Sequence, residues 1–251
     1  RSITYPQSTK SGPIFGSAMV TMGSKTAVRA VGTKCLTNIS MQIGTPSLSK
    51  PDEGDVVFDV MLTPGLSRKY DTEQQRKKHN DAIDLEAFLR DVFCPNAAGS
   101  NANSTQTQTH TRATFDLKQL CIERGKRAFR LVVSVLFLSV DGNMQDCAIT
   151  SVDAALRNTT IPVVTGSGVN SRLTRQDGKQ LVMKHNITAN TFAIYSYTTA
   201  FTTSNNNSKS SQSNKSKVFL IDPTKNEEDL VRNTVTIVTG DRGILKGVFM
   251  D

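Results

Sequence analysis

The feature that most constrains the fold is a mainly apolar run, AFRLVVSVLFLSV, at residues 128–140. It is shorter than the roughly 20 apolar residues that cross a bilayer, yet long enough for a strand buried on both faces. A tight Asp-Gly turn follows. After it comes the segment 143–158, in which Cys147, Val152 and Leu156 share one helical face. The sequence therefore predicts a strand, a turn and a helix, with the strand at the centre of a sheet.

The rest of the chain predicts further strands and one more helix. Alternating apolar and polar residues on both sides of GSK in 17–36 are typical of a β-hairpin, and the Pro-rich and Gly-rich stretch 44–54 is typical of a loop. Residues 71–93 have a helical pattern, capped by Asp71 or Thr72. The apolar stripe of this helix comprises Ile83, Leu85, Phe88, Leu89 and Val92. Further strands are expected at 55–62, 190–200, 217–222, 233–239 and 244–250.

These elements predict an α+β fold in a single domain over residues 1–251, rich in strands at both ends. Two polar low-complexity tracts, at about 95–114 and 202–217, bury too little apolar surface to offset the entropy of ordering. We expect both to be exposed insertions within the domain. The chain has no long apolar segment and no signal-peptide pattern at its start, which favours a soluble intracellular protein.

The net charge of +8 favours a polyanionic partner. One basic cluster has Arg68 and Lys69 in a loop, followed by Arg76, Lys77 and Lys78 on the first turns of the helix. A second cluster consists of Arg124, Lys126, Arg127 and Arg130. Either cluster could follow a phosphate backbone, or could equally be a solvated charge run, because no aromatic residues interleave to stack bases.

The sequence gives little support for a metal site or for a catalytic nucleophile. The four cysteines are far apart without a CxxC pair, and His79, His110 and His185 lack partners at diagnostic spacing. The acidic group Asp222, Glu227, Glu228 and Asp229 could hold a hard cation, but an Asp-Pro turn followed by exposed acids is the commoner arrangement.

The turn VDGNMQD could present backbone N–H groups and a helix N-terminus to a phosphate. It has one glycine and neither a P-loop lysine nor a GxGxxG pattern. At this level we favour a structural turn in which Asp141 and Asn143 hydrogen-bond the backbone and cap the helix.

Several stretches together resemble the RNase PH-like ring subunits of the eukaryotic RNA exosome. GSAMVTMGSKTAVRAV is similar to the family's first hairpin, and GTPSLSKPDEGDVVFDV, FDLKQLCI, DGNMQDCAITSVDAALRNTTIP and FLIDPTKNEEDL follow in family order. The resemblance implies an RNase PH-like fold, in which mixed sheets pack with helices, and a left-handed βαβ crossover, an exception to the usual right hand. The family's N-terminal helix, with its RPDGR-like motif, and its closing C-terminal helix have no counterpart in this sequence.

The resemblance also implies a role. It suggests a non-catalytic subunit of a hetero-hexameric ring, which binds other RNase PH-like subunits and cap subunits with RNA-binding domains. The ring threads single-stranded RNA for 3′-to-5′ degradation and rRNA processing, in the nucleus, the nucleolus and the cytoplasm, without a membrane, cofactor or metal. Arg68, Lys69, Arg76 and Lys77 correspond to the loop and helix start that face the pore in the family.

Phosphorolytic members resemble DGGTRT or DGGTRS at the turn, where hydroxyl and guanidinium groups bind the attacking phosphate. Here Asn143, Met144, Gln145 and Asp146 stand in that stretch. None supplies the bidentate contact of arginine, and Asp146 is expected to repel phosphate. The family's general-acid aspartate falls at Thr234, which cannot act as that acid. The alternative is a phosphate-dependent exoribonuclease whose site is shared with a partner subunit.

Overall fold

The computed structural model describes residues 1–6, 12–23, 32–63, 72–94, 113–166, 172–201, 212–231 and 233–250. The strands are β1 (Ser2–Thr4), β2 (Ile14–Met22), β3 (Thr33–Gly44), β4 (Asp55–Leu62), β5 (Cys121–Glu123), β6 (Arg127–Ser139), β7 (Thr160–Thr165), β8 (Arg172–Gln180), β9 (Thr188–Phe201), β10 (Gln212–Ile221), β11 (Thr234–Thr239) and β12 (Leu245–Met250). The helices are α1 (Thr72–Phe93), α2 (Met144–Arg157) and the single turn α3 (Lys225–Glu228).

The central position expected for the apolar run is confirmed. β6 lies inside a sheet of order β1-β2-β3-β6-β4, with β5 pairing onto its start. It pairs antiparallel with β3 and parallel with β4, so β4, α1 and β6 form a βαβ crossover. Its alternate residues Leu131, Val133, Val135 and Phe137 are completely buried.

Both long helices lie between this sheet and a second one of order β10-β9-β11-β12. α2 packs on β2 and β3 of the first sheet and on β9 of the second, while α1 packs on β4 and β12. Cys147, Val152 and Leu156 are fully buried, as predicted for α2. The sheets and the helices between them form the α+β architecture that the sequence predicts.

The predicted stripe of α1 is confirmed at Leu85, Phe88, Leu89 and Val92, but wrong at Ile83, which is 47% exposed. Ala82 takes the core-facing position one turn before Leu85. Because successive helix residues are 100° apart, Ile83 is rotated off the stripe.

Four strands were not predicted from the sequence. β1 and β5 belong to the first sheet, and β7 and β8 form a separate two-stranded sheet. The predicted bounds of the two polar tracts are too wide. Residues 212–216, placed in the second tract, pair with β9 as part of β10, because main-chain ladder bonds do not require apolar side chains. Thr114, placed at the end of the first tract, is buried and donates a hydrogen bond to the carbonyl oxygen of Val92.

Both sheets have apolar residues on their outer faces. On the first sheet, the polar row Asn38, Ser134 and Asp59 lies beside an apolar row, Leu36, Leu136 and Met61, in which Met61 is 45% exposed. On the second sheet, an apolar row crosses all four strands, and its members are Ile221, Phe192, Val235 and Met250. Ile221 and Met250 are 70% and 73% exposed, and the neighbouring Phe219 is 62% exposed. A sheet that is apolar on both faces is expected to be covered on both.

We expect this face to make the isolated chain self-associate. Replacing Phe219 and Ile221 together by lysine should reduce light scattering at micromolar concentration and leave the thermal midpoint nearly unchanged, since neither side chain faces the core. The control is Val182→Lys, at a position that is 64% exposed and lies outside this sheet. Equal scattering from wild-type, double-variant and control chains would show that the face does not drive association.

Candidate functional site

The turn between β6 and α2 has a conformation that depends on glycine and on close packing. Gly142 has a φ of 86° and Asn143 a φ of 52°, so two successive residues are left-handed. A Cβ at 142 would lie 2.5 Å from the carbonyl oxygen of Pro223. The Oγ1 of Thr33 donates to the carbonyl oxygen of Gly142 at 2.5 Å and accepts from the N–H of Asp141 at 2.9 Å. Pro223, in the segment that follows β10, therefore packs directly against this turn.

Three carboxylates meet around Asn143. Its backbone N–H donates to Oε1 of Glu228 at 2.6 Å, and its side-chain Nδ2 donates to Oδ1 of Asp222 at 2.5 Å and to Oδ2 of Asp146 at 3.1 Å. Glu228 is held in place because α3 begins with a capping box, in which Thr224 and Glu227 bond each other's backbone and side chain. The acidic segment 222–228 therefore accepts the hydrogen bond from the N–H that would otherwise be available to a phosphate.

The expectation that the side chain of Asn143 caps α2 is wrong. Asn143 occupies the N-cap position, but its side chain makes no capping bond. A capping residue has an extended backbone and accepts with its side-chain oxygen, whereas Asn143 is left-handed, with φ 52° and ψ 49°, and its Nδ2 donates to two carboxylates. The Oδ1 atom is buried and accepts no hydrogen bond from the described part of the chain.

Asp146 faces inward and joins α2 to the second sheet. It is 1% exposed, and it accepts hydrogen bonds from the N–H of Thr191 at 3.1 Å and from Oγ1 of Thr191 at 2.7 Å. Thr191 Oγ1 lies 2.8 Å from Thr236 Oγ1. The guanidinium of Arg1 lies 3.3 Å from Asp146. Burial raises the pKa of Asp146, and the bonds from Thr191 and Asn143 and the charge of Arg1 oppose that shift.

The structure brings together Asn143 and Asp146 among the predicted turn residues, and it adds partners that were not predicted from the sequence. Met144 packs partly buried against the core, and Gln145 is half-buried. Thr234, aligned with the family's general acid, is half-buried at the start of β11 opposite Ala193. A signal for Thr191 was present in the sequence, because it lies between Ala189 and Ala193 on the buried face of an alternating strand.

The first basic cluster is only partly within the described chain. Arg68 and Lys69 lie outside the described residues. Arg76 and Lys77 lie in the first half of α1, and their role in binding RNA stays a prediction.

Other reactive groups in the described part of the chain are structural. Cys35 and Cys147 are buried, and burial raises the pKa of the Cys94 thiol to about 12. His185 Nδ1 lies 3.4 Å from Asp241. Within the described residues, no three His, Cys, Asp or Glu side chains are grouped to hold a metal ion, and no helix has the length and apolarity to cross a bilayer.

Comparisons with known proteins identify the family and the fold. A family model described as "3′ exoribonuclease family, domain 1" matches residues 6–162. The exosome complex component Rrp42 of Methanocella arvoryzae is 24% identical over 233 residues, which are 93% of this chain and 69% of that protein. Rrp42 of Methanosarcina mazei is 27% identical over 147 residues, 59% of this chain and 45% of that one. Exosome complex component RRP45 of Danio rerio is 25% identical over 158 residues, 62% of this chain and 33% of that one.

Two solved structures show the same fold. A chain of an archaeal exosome core matches all of this chain and 75% of its own length, with a TM-score of 0.63 at 20% identity. A chain of an Archaeoglobus fulgidus exosome with RNA bound to the active site matches all of this chain and 76% of its own length, with a TM-score of 0.67 at 20% identity. The RNase PH-like fold expected from the sequence is confirmed.

The raised pKa of Asp146 predicts a specific dependence of stability on pH. Asp146 binds its proton more tightly in the folded protein than in the unfolded chain. Its contribution to the free energy of unfolding is therefore largest at acid pH, where the carboxyl group is protonated. That contribution is lost as the pH rises from about 4, the ordinary aspartate pKa, through the raised folded value. Urea denaturation of wild-type protein and Asp146→Asn should show the difference in unfolding free energy, wild type minus variant, falling across this window.

The control is Asp52→Asn. Hydrogen bonding from Lys118 lowers the pKa of Asp52, so the corresponding difference should rise with pH as the carboxyl ionises. A difference for Asp146 that also rises with pH would show that Arg1 and the hydrogen bonds outweigh burial.

Proposed function

The chain belongs to the RNase PH family of 3′ exoribonucleases, and from that premise we propose that it is a non-catalytic subunit of the RNase PH-like ring of the RNA exosome. Relatives that match it over 93% and 59% of its length are named as exosome complex components. The chain spans 69% of the first relative and less than half of the second, at 45%. Its ring partners, its cap partners and its location in the exosome complex are part of the proposal.

The loop GTPSLSKPDEG and the segment DLKQLCI resemble ribosomal RNA-processing protein 42 most, while VDGN and IDPT also suit its sister, protein 43. The archaeal relatives named Rrp42 favour the first assignment.

The proposal that the chain is non-catalytic rests on the hydrogen bond from the Asn143 N–H to Glu228 at 2.6 Å. A helix N-terminus binds phosphate through free N–H groups and the positive end of the helix dipole. Here a carboxylate already occupies that donor, and Asp222 and Asp146 lie beside it. Incoming phosphate would meet negative charge and no arginine from the turn itself.

A direct assay should find no phosphorolysis by this chain. End-labelled single-stranded RNA is incubated with inorganic phosphate and the protein, alone and together with an RNase PH-like partner subunit. We expect the protein alone to release no nucleoside diphosphate, and the mixture to release no more than the partner by itself.

Extra release in the mixture would favour the alternative, a phosphorolytic site shared between subunits. In that case Gln145→Ala separates the sources. Loss of the extra activity would place phosphate chemistry at this turn and overturn the proposal, whereas full activity would place it in the partner.

For the RNA path, we propose that Arg68, Lys69, Arg76 and Lys77 contact phosphates in the channel without sequence choice. Changing all four to glutamine in the assembled ring should reduce the slope of log affinity against log salt by about 0.7 for each phosphate that is no longer neutralised. The matched control is Lys126→Gln with Arg127→Gln, because both cations already pair with Glu123. An unchanged slope in the fourfold variant would contradict this assignment.

A further inference from the structure

Two buried cysteines, with structural positions between β3 and α2, meet at a place that the proposed function does not use. Cys35 lies on β3 and Cys147 lies at the start of α2, and both are completely buried. Cys147 Sγ is 3.7 Å from the carbonyl oxygen of Thr33 and 3.9 Å from that of Val20. Val20 is the residue directly opposite Cys35 in the pairing of β2 with β3. The helix therefore places the Cys147 thiol over Cys35, and the two thiols hydrogen-bond each other.

The polar groups around the two sulfur atoms differ. Besides Cys35, the partners of Cys147 Sγ are main-chain carbonyl oxygens, which accept hydrogen bonds and so favour a thiol that keeps its proton. Cys35 Sγ lies 4.0 Å from the hydroxyl of Thr37, which in turn lies 2.7 Å from the hydroxyl of Ser151. Hydroxyl groups can donate to a thiolate and stabilise it. The arrangement therefore favours a thiolate on Cys35 and a proton on Cys147.

The pKa values of the two thiols follow from these contacts. Hydrogen bonding from Cys147, and from the hydroxyls of Ser151 and Thr37, lowers the pKa of the Cys35 thiol against the effect of burial. The hydrogen bond with Cys35, together with burial, raises the pKa of the Cys147 thiol. The thiolate is the reactive form of cysteine. A thiolate beside a second, protonated thiol is the arrangement of a cysteine that is oxidised first and a cysteine that resolves it.

Access to the pair requires local opening of the structure, because both thiols are completely buried. Val20 and Thr33 belong to β2 and β3, which are interior strands of the first sheet. Cys147 belongs to the start of α2, so a small movement of this part of the helix uncovers both sulfur atoms. A peroxide is small enough to enter such an opening.

We propose that Cys35 and Cys147 form a dithiol site that a small peroxide, such as hydrogen peroxide, oxidises to an intramolecular disulfide. The inference goes beyond the proposed function and does not depend on it. In a disulfide the two sulfur atoms are about 2.0 Å apart, so oxidation draws the start of α2 towards β3. The same part of α2 carries Asp146, which bonds Thr191 on the second sheet. The oxidation state of the pair therefore acts on the contact between α2 and that sheet.

The reaction has two steps. The Cys35 thiolate attacks one oxygen of hydrogen peroxide, the O–O bond breaks, and hydroxide leaves, so that Cys35 becomes a sulfenic acid. The sulfur of Cys147 then attacks the sulfur of Cys35, the S–O bond breaks, and the hydroxyl group leaves as water with the proton of Cys147. The hydroxide from the first step takes up the proton that Cys35 lost on ionisation. Two thiols are thereby oxidised by two electrons in total, and one peroxide is reduced to two waters.

Peptide mass spectrometry of the full chain tests the proposal. The protein is treated with hydrogen peroxide, its remaining thiols are alkylated, and it is digested without reduction. We expect a linked pair of peptides that joins Cys35 to Cys147, has lost two hydrogen atoms, and disappears after reduction with dithiothreitol. Cys121 is the internal control, because it is only partly buried and stays out of the linked pair. No linked pair, or Cys35 or Cys147 linked to Cys121 instead, would overturn the proposal.

The same treatment of the chain unfolded in urea is the control for the fold. Cys35 and Cys147 are the first and the last of the four cysteines, so loop closure disfavours their pairing in an unfolded chain. We expect pairs that are closer in sequence to dominate there. An equal preference for the pair 35 and 147 in the unfolded chain would show that the folded arrangement is not its cause, and would refute the site.

Single variants distinguish the two roles, with dimedone as the reagent that labels sulfenic acids. In Cys147→Ser the sulfenic acid on Cys35 has no resolving thiol, so peroxide should make Cys35 available for labelling. In Cys35→Ser we expect Cys147 to take up about a tenth of that label or less, because its sulfur keeps its proton. Equal or stronger labelling of Cys147 would contradict the assignment of Cys35 as the thiol that is oxidised first. The linked pair in the wild-type chain needs no variant, so a variant that does not fold leaves the main test intact.

Discussion

The architecture depends on one buried carboxylate at the first turn of α2. Asp146 accepts hydrogen bonds from the backbone and the hydroxyl of Thr191, and so fastens the helix layer to the second sheet. A buried carboxylate is costly unless several donors compensate it. Asn143 and Arg1 provide further donors, which oppose the rise in the pKa of Asp146 caused by burial. Removing the carboxylate altogether would leave the donors from Thr191 and Asn143 without their acceptor in the core.

The same turn combines a backbone shape that suits a phosphate with hydrogen-bond donors that carboxylates already occupy. Left-handed residues at 142 and 143 and a following helix N-terminus are present. At this turn the hydrogen bonds are accepted by Glu228 and Asp222 instead of by a free phosphate. Because these carboxylates belong to the same chain, they bind there without losing translational entropy. An intramolecular carboxylate competes with free phosphate at a large advantage. The geometry of such a turn is therefore no guide to catalysis unless its hydrogen-bond donors are also free.

Much of the fold could be predicted because its signals are local. The apolar run of β6 and the alternation in 17–36 are properties of neighbouring residues. β6 and β2 form as expected, whereas β3 begins at Thr33 and continues to Gly44, beyond the predicted hairpin. The exposed Ile83 shows the limit, since a stripe one residue too wide still looks helical. β8, with the sequence RLTRQDGKQ, has almost no apolar alternation and is stabilised by its ladder with β7. No local pattern could reveal that strand.

The site was harder to predict because its residues come from distant parts of the chain. Asp146 and Thr191 are 45 residues apart, and Asn143 and Glu228 are 85 apart. From the sequence, Asp146 was expected to repel phosphate directly, whereas its carboxylate points into the core. Glu228 accepts the hydrogen bond from the Asn143 N–H, and the sequence pattern marked it only as a member of an acidic turn. Buried N–H donors at a turn of this kind need acceptors. The acidic segment after β10 supplies acceptors for this turn, so the occupied N–H of Asn143 and the packing of α3 onto the turn are two consequences of the same hydrogen bonds.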